Sequence, residues 1–104
     1  MAELTVIARL KARPGKEAEL EQALRVVVTP THAEPGCLRY AFHRSTDDPA
    51  TFLLVERWVS REALDQHLEM PYLKALRARF PELVEGRDVG LYELLPEGRS
   101  EKRL

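Results

Sequence analysis

The order in which apolar residues change their spacing restricts this chain more than any other feature. From Glu3 to Lys11 they alternate, with Leu4, Val6, Ala8 and Leu10 facing one way and Thr5, Ile7, Arg9 and Lys11 the other, as in a half-buried strand. Arg13-Pro14-Gly15 is a turn signal, and Pro14 cannot extend a strand ladder. From Lys16 the spacing is helical, through Leu20, Ala23, Leu24, Val27 and Val28, until Pro30 and then Glu34-Pro35-Gly36 end the helix. Alternation returns over Cys37 to Arg44, where Leu38, Tyr40 and Phe42 oppose Cys37, Arg39, Ala41 and His43, and again over Thr51 to Val59. The short, turn-forming Ser45-Thr46-Asp47-Asp48-Pro49 between them predicts a hairpin. Ser60 reads as the N-cap of a second helix, with Glu62 in its first turn and Ala63, Leu64, His67 and Leu68 as its inward stripe. Pro71 restarts a helix through Leu73, Leu76 and Phe80 that stops near Pro81. Asp88 to Leu95 reads as the last strand.

The order β-α-β-β-α-β places the chain in the α+β class and predicts a ferredoxin-like sandwich, four antiparallel strands with helices on one face. Its 104 residues suffice for one domain, expected over 1–96, with 97–104 as a flexible, solvated C-terminal tail. In such a sandwich the second sheet face should be polar. Instead Phe52 and Leu54 are backed by Leu53 and Val55, and Val89 and Leu91 by Tyr92 and Leu94, so both faces need cover. A second copy packed sheet against sheet supplies it most economically, which predicts a homodimer; the alternative is a monomer with a mildly apolar surface.

Composition excludes several functions. Sixteen basic against seventeen acidic residues leave a net charge of −1, too little to attract a phosphate backbone, so no nucleic-acid partner is expected. The longest apolar run is Phe52 to Val55, so no membrane span is expected, and Glu3 and Arg9 interrupt any signal h-region, which points to a cytoplasmic location. A lone Cys37 forms no internal disulfide and no Cys-rich zinc site, and His32, His43 and His67 lack metal-ligand spacing. The glycines are isolated, so no phosphate loop exists, and no Gly-x-Ser-x-Gly elbow is present. The complete absence of Asn, with only two Gln and two Met, fits a thermophilic source.

Chemistry concentrates between Glu34 and Tyr72. Glu56 is in register with Phe52, Leu54 and Trp58, so a carboxylate shares a face with large apolar groups. That setting either raises its pKa, as a general base requires, or is relieved by an ion pair with Arg39 or Arg57. His67, on the apolar stripe of its helix, is either a proton-exchanging imidazole or a hydrogen-bonded core residue. Trp58 is either a wall for a flat ligand or the largest core residue. Tyr40, His43 and Tyr72 form a second tier. Cys37 reads as a small packing residue.

Three marks, Glu34-Pro35-Gly36-Cys37, Glu56-x-Trp58 and Ala63-Leu64-x-x-His67, follow an opening LTVIARLKARPGKEAELEQAL. With them the chain resembles, over about residues 2–95, the antibiotic biosynthesis monooxygenase domain family. The resemblance implies a dimeric α+β barrel with a small pocket between sheet and helices. It implies oxidation of a quinol or phenolic aromatic by O2 with no metal or flavin cofactor, the substrate supplying the electrons. His67 and Glu56 would then handle the proton, Trp58 would wall the pocket, and Tyr40 and Tyr72 would hold an aromatic ring. The chain departs from the family's haem-degrading branch, which uses an Asn near the position of Ala8 and a His near that of Arg77. A branch that isomerises a phosphorylated sugar leaves a second expectation, an isomerase of a small phosphorylated carbonyl compound with Arg39 or Arg44 as its cations. A third is a non-enzymatic, small-molecule-binding dimer.

Overall fold

A computed structural model describes residues 2–104. The elements are β1 (Leu4–Ala12), α1 (Glu17–Arg25), α2 (Val28–His32), β2 (Cys37–Arg44), β3 (Thr51–Trp58), α3 (Arg61–Leu68), α4 (Pro71–Ala78), α5 (Phe80–Leu83) and β4 (Val84–Tyr92), then a 3₁₀ turn at Ser100–Lys102. The strands form one antiparallel sheet in the order β2-β3-β1-β4. This is the ferredoxin-like α+β arrangement.

Register explains the core. Val6 pairs with Glu56 and with Leu91, and Glu56 pairs with Tyr40, so one row across the inner face reads Tyr40, Glu56, Val6, Leu91. The next row reads Phe42, Leu54, Ala8, Val89. Leu20, Leu24 and Val27 from the first helical segment and Leu64, Leu73, Leu76 and Leu83 from the second bury against these rows. Gly15 takes φ +83 in the turn after β1, a left-handed conformation that a Cβ would strain. The Ser60 hydroxyl caps α3, accepting from the Ala63 amide at 3.1 Å.

Several expected boundaries move. Pro30 and Pro81 do not end helices; each lies in the first turn of a short one, α2 and α5, where no amide donor is needed. β4 starts four residues before Asp88 and ends at Tyr92, because Val84 pairs with Ala12 across a bulge. Leu94 therefore lies beyond the strand. Leu38 was expected beside Tyr40 and Phe42, but a register shift between Cys37 and Arg39 leaves it exposed. Leu68 is likewise exposed rather than inward. Beyond β4 the chain turns back, and Arg57 donates to the Leu104 carbonyl and pairs with Glu3. No helix among the described residues is long and apolar enough to cross a membrane.

Candidate functional site

The helices cover β2, β3 and β1 but leave the β4 side of the inner face open. Val89 and Leu91, on the same face as Ala8 and Val6, remain 49% and 43% exposed. Between them and the helices lies a cavity of about 170 Å³, floored by Val6, Ala8 and Leu54 and roofed by Leu64, Leu73 and Leu76. Ala8 creates the room, being the smallest side chain in its row. An apolar space of about 150 Å³ is enough for benzene. The polar groups on this cavity are few: Tyr40, Glu56, His67 and three arginines, Arg61, Arg77 and Arg87.

His67 is 2% exposed, on the inward face of α3. Its Nδ1 lies 2.8 Å from Glu34 Oε2. An ionised carboxylate only accepts, so Nδ1 carries the proton and the lone pair sits on Nε2. The bond to Glu34 is the only hydrogen bond of the His67 side chain among the described residues, and the side chain lines the cavity. The ring is clamped by Trp58, 4.5 Å away between centroids, and by the edge of Tyr40 at 5.6 Å. Burial holds the imidazole pKa below its usual value; Glu34 opposes this, and the Arg77 charge adds to it. His67 thus rests neutral, as a proton acceptor must.

Glu34 is the residue that sequence reasoning missed. It is 7% exposed and accepts from both His67 and the Tyr72 hydroxyl, the latter at 2.5 Å. Consecutive turns hold its backbone: its amide donates to Thr31 O at 3.0 Å, and its carbonyl accepts from Cys37 N at 3.1 Å. Burial and the bond to Glu34 push the Tyr72 phenol up to about 12.

Glu56 forms neither expected ion pair. Arg57 points away to Glu3, Arg39 bonds the Leu38 carbonyl, and the carboxylate instead accepts from Trp58 Nε1 at 3.0 Å. One indole donor does not replace water, and burial lifts the Glu56 pKa from 4.5 to about 7, with the Glu34 charge contributing.

The structure brings together five of the six expected residues. Glu56, His67 and Tyr40 line the cavity. Trp58 is fully enclosed behind them, supporting His67 and Glu56 rather than walling the space, and Tyr72 acts on Glu34. His43 does not join them. It pairs with Leu53 on the outer sheet face, exposed, with Nδ1 bonded to the Ala41 carbonyl. Arg39 and Arg44, the expected cations of an isomerase, also lie away from the cavity; Arg44 pairs with Glu21. Among the described residues no three His, Cys, Asp or Glu side chains gather as metal ligands.

Residues 3–79 match the family model described as antibiotic biosynthesis monooxygenase. The chain belongs to this family. Every residue lining the cavity except Phe80, Arg87, Val89 and Leu91 lies within the matched stretch. Among its relatives, Rv0793 of Mycobacterium tuberculosis is 39% identical over 93 residues, covering 89% of this chain and 90% of that protein. The structure of Rv0793 superposes with a TM-score of 0.87 over 94% of this chain and all of that one. The Escherichia coli protein named "Probable quinol monooxygenase YgiN" is 33% identical over 94 residues, covering 80% of this chain and 86% of that protein. A Synechocystis protein, sll1783, is 28% identical over 92 residues, and the match spans only 63% of its length. The crystal structure of PA3566 from Pseudomonas aeruginosa superposes with a TM-score of 0.88 at 30% identity, over 91% of this chain and 96% of that one.

Proposed function

We propose that the cavity oxidises a single-ring quinol or phenol with O2, the substrate itself supplying the electrons. The observation that carries this reading is the placing of a carboxylate-oriented His67 and a buried Glu56, its pKa raised to about 7, on one ring-sized cavity. A phenolic hydroxyl directed at these groups loses its proton to His67 Nε2 or to ionised Glu56, and the resulting anion is electron-rich enough to react with O2. For a quinol, one oxygen atom enters the ring, the other leaves as water, and the four electrons come from the ring, which ends as a hydroxylated quinone. The chain's part is to orient the ring, take the proton and keep water away. The family assignment and the name of the Escherichia coli relative support the reaction class.

Oxygen uptake by the metal-stripped protein against a panel of monocyclic quinols and phenols tests the reading, with His67→Ala and Glu56→Gln alongside. Uptake above autoxidation that falls at least about a hundredfold in folded variants is the expected result. Uptake that survives both substitutions, or none with any panel member, overturns it.

The same reading includes a homodimer through the outer sheet face. There Ile7, Leu53 and Val55 are half-buried in the single chain, beside Tyr92, which is 55% exposed. Sedimentation velocity is expected to give twice the chain mass, and Leu53→Lys with Val55→Lys to give monomers. A wild-type monomer at micromolar concentration refutes this part.

A further inference from the structure

Besides Tyr40, Glu56 and His67, three guanidinium groups stand on the cavity: Arg61 from α3, Arg77 from α4 and Arg87 from β4. Arg61 is satisfied by Asp65 at 3.2 Å, one helical turn on. Arg77 and Arg87 have no carboxylate within 4.0 Å among the described residues. Arg77 Nη2 donates to the Leu68 carbonyl at 2.7 Å, while Nη1 is enclosed and has no acceptor. The Arg87 guanidinium lies 5.2 Å over the Phe80 ring, a contact that orients a cation without neutralising it. Arg77, Phe80 and Arg87 also line a shallow outer hollow, so this trio forms the partition between the cavity and the surface.

The arrangement is unfavourable as it stands. The enclosed Arg77 N–H without an acceptor keeps its desolvation cost, and the Arg87 charge, on an exposed residue of β4, is left without a counter-ion. An anionic oxygen pair relieves both at once, since the planar fork of a guanidinium matches a carboxylate or a phosphate. Of the proton acceptors, Glu56 lies on the inner row of the sheet and His67 on α3, so a ligand reaching from them to the arginines carries opposite chemistry at its two ends.

We infer that the substrate is a hydroxylated single-ring aromatic with an acidic substituent, a carboxylate or a phosphate, held by Arg77 and Arg87. The assignment of the hydroxyl end rests on the proposed function; the anion site rests on the arginines alone. Arg77 lies within the stretch matched by the family model and Arg87, on β4, beyond it.

Isothermal titration of the full chain at low salt, under nitrogen, tests the inference with phenol, 4-hydroxybenzoate, phenyl phosphate and inorganic phosphate. At least one anionic aromatic is expected to bind about tenfold or more tightly than phenol, and more tightly than inorganic phosphate. Whichever shows the preference names the anion. In Arg77→Gln/Arg87→Gln the ratio is expected to fall to about one. Arg87→Gln alone, which breaks no hydrogen bond to the protein, is expected to lower it severalfold and serves if the double variant does not fold. Equal binding of phenol and both anionic aromatics, or a preference that survives in the variants, overturns the inference. The two proposals fail separately. A charge preference without oxygen uptake leaves the anion site standing and refutes the oxidation, whereas uptake from neutral quinols without a preference does the reverse.

Discussion

Replacing Glu56 by Gln is expected to stabilise the protein in mild alkali, and the gain is expected to fade in acid. Glu56 is 5% exposed, accepts one hydrogen bond from Trp58, and titrates in the folded chain at about 7 rather than 4.5. A raised acid favours the folded state only while its proton is bound. Its contribution is therefore complete below 4.5 and is lost as pH rises through about 7. At about 1.4 kcal/mol per pH unit, the full loss is about 3 kcal/mol, of which some 2–3 kcal/mol falls between pH 5 and 8. Gln has no proton to lose and its amide oxygen still accepts from the indole. The gap between variant and wild type therefore changes by that amount, while every other titrating group, His67 included, contributes to both. With an unfolding entropy of about 2 cal/mol/K per residue over 104 residues, the gap in Tm shifts by about 10 °C. Scanning calorimetry of both proteins at pH 5, 6, 7 and 8 measures it. A gap that is constant with pH, or that widens towards acid, refutes the assignment of a burial-raised carboxyl. Stability gained at the expense of oxygen uptake would be the mark of a group kept for its chemistry.

Glu34→Gln removes the charge that opposes the desolvation of His67, so the imidazole pKa is expected to fall further; an NMR titration of its ring signals that shows no change or a rise refutes the link. Ser60→Ala deletes the α3 cap and is expected to cost about 1 kcal/mol, or about 5 °C in Tm by thermal denaturation. Gly36→Ala would place a Cβ 2.4 Å from the Ala63 Cβ, against the start of α3, and is expected to lose about 1–3 kcal/mol. Adding Ala63→Gly is expected to recover part of that loss in a double-mutant cycle, and purely additive losses refute the contact.

Strands and caps were legible because each depends on a few neighbouring residues. The alternation in Cys37–Arg44 and the Ser60 cap needed nothing from elsewhere in the chain. Features that depend on a distant partner were not. The start of β4 is dictated by pairing of Val84 with Ala12, and the exposure of Leu38 by a register shift against β3. Both prolines misled because their meaning depends on whether a helix ends or begins there. In the site, Glu56 and His67 stood out as polar residues on apolar stripes. Glu34 did not, since an acid in a Glu-Pro-Gly turn looks like solvent-facing loop chemistry; only the fold shows the turn tucked beneath α3 and α4. His43 could have been set aside from the sequence, because the alternation already put it opposite Tyr40 and Phe42.

The two buried carboxylates divide the work through their partners. Glu34 takes two donors on one oxygen and orients His67, whereas Glu56 has a single indole donor and remains close to giving or taking a proton at neutral pH. The Arg77 charge pulls the other way, weakening His67 as a base. An anion bound on Arg77 cancels that effect, so ligand binding and protonation of His67 are linked, each favouring the other. Titrating 4-hydroxybenzoate near pH 6 in two buffers of different ionisation enthalpy is then expected to register proton uptake on binding, and His67→Ala to reduce it, Glu56 on the same cavity supplying the remainder. Binding without proton exchange would separate the rim from the base. With the linkage in place, an anion on Arg77 makes His67 a stronger base towards the phenol bound beside it.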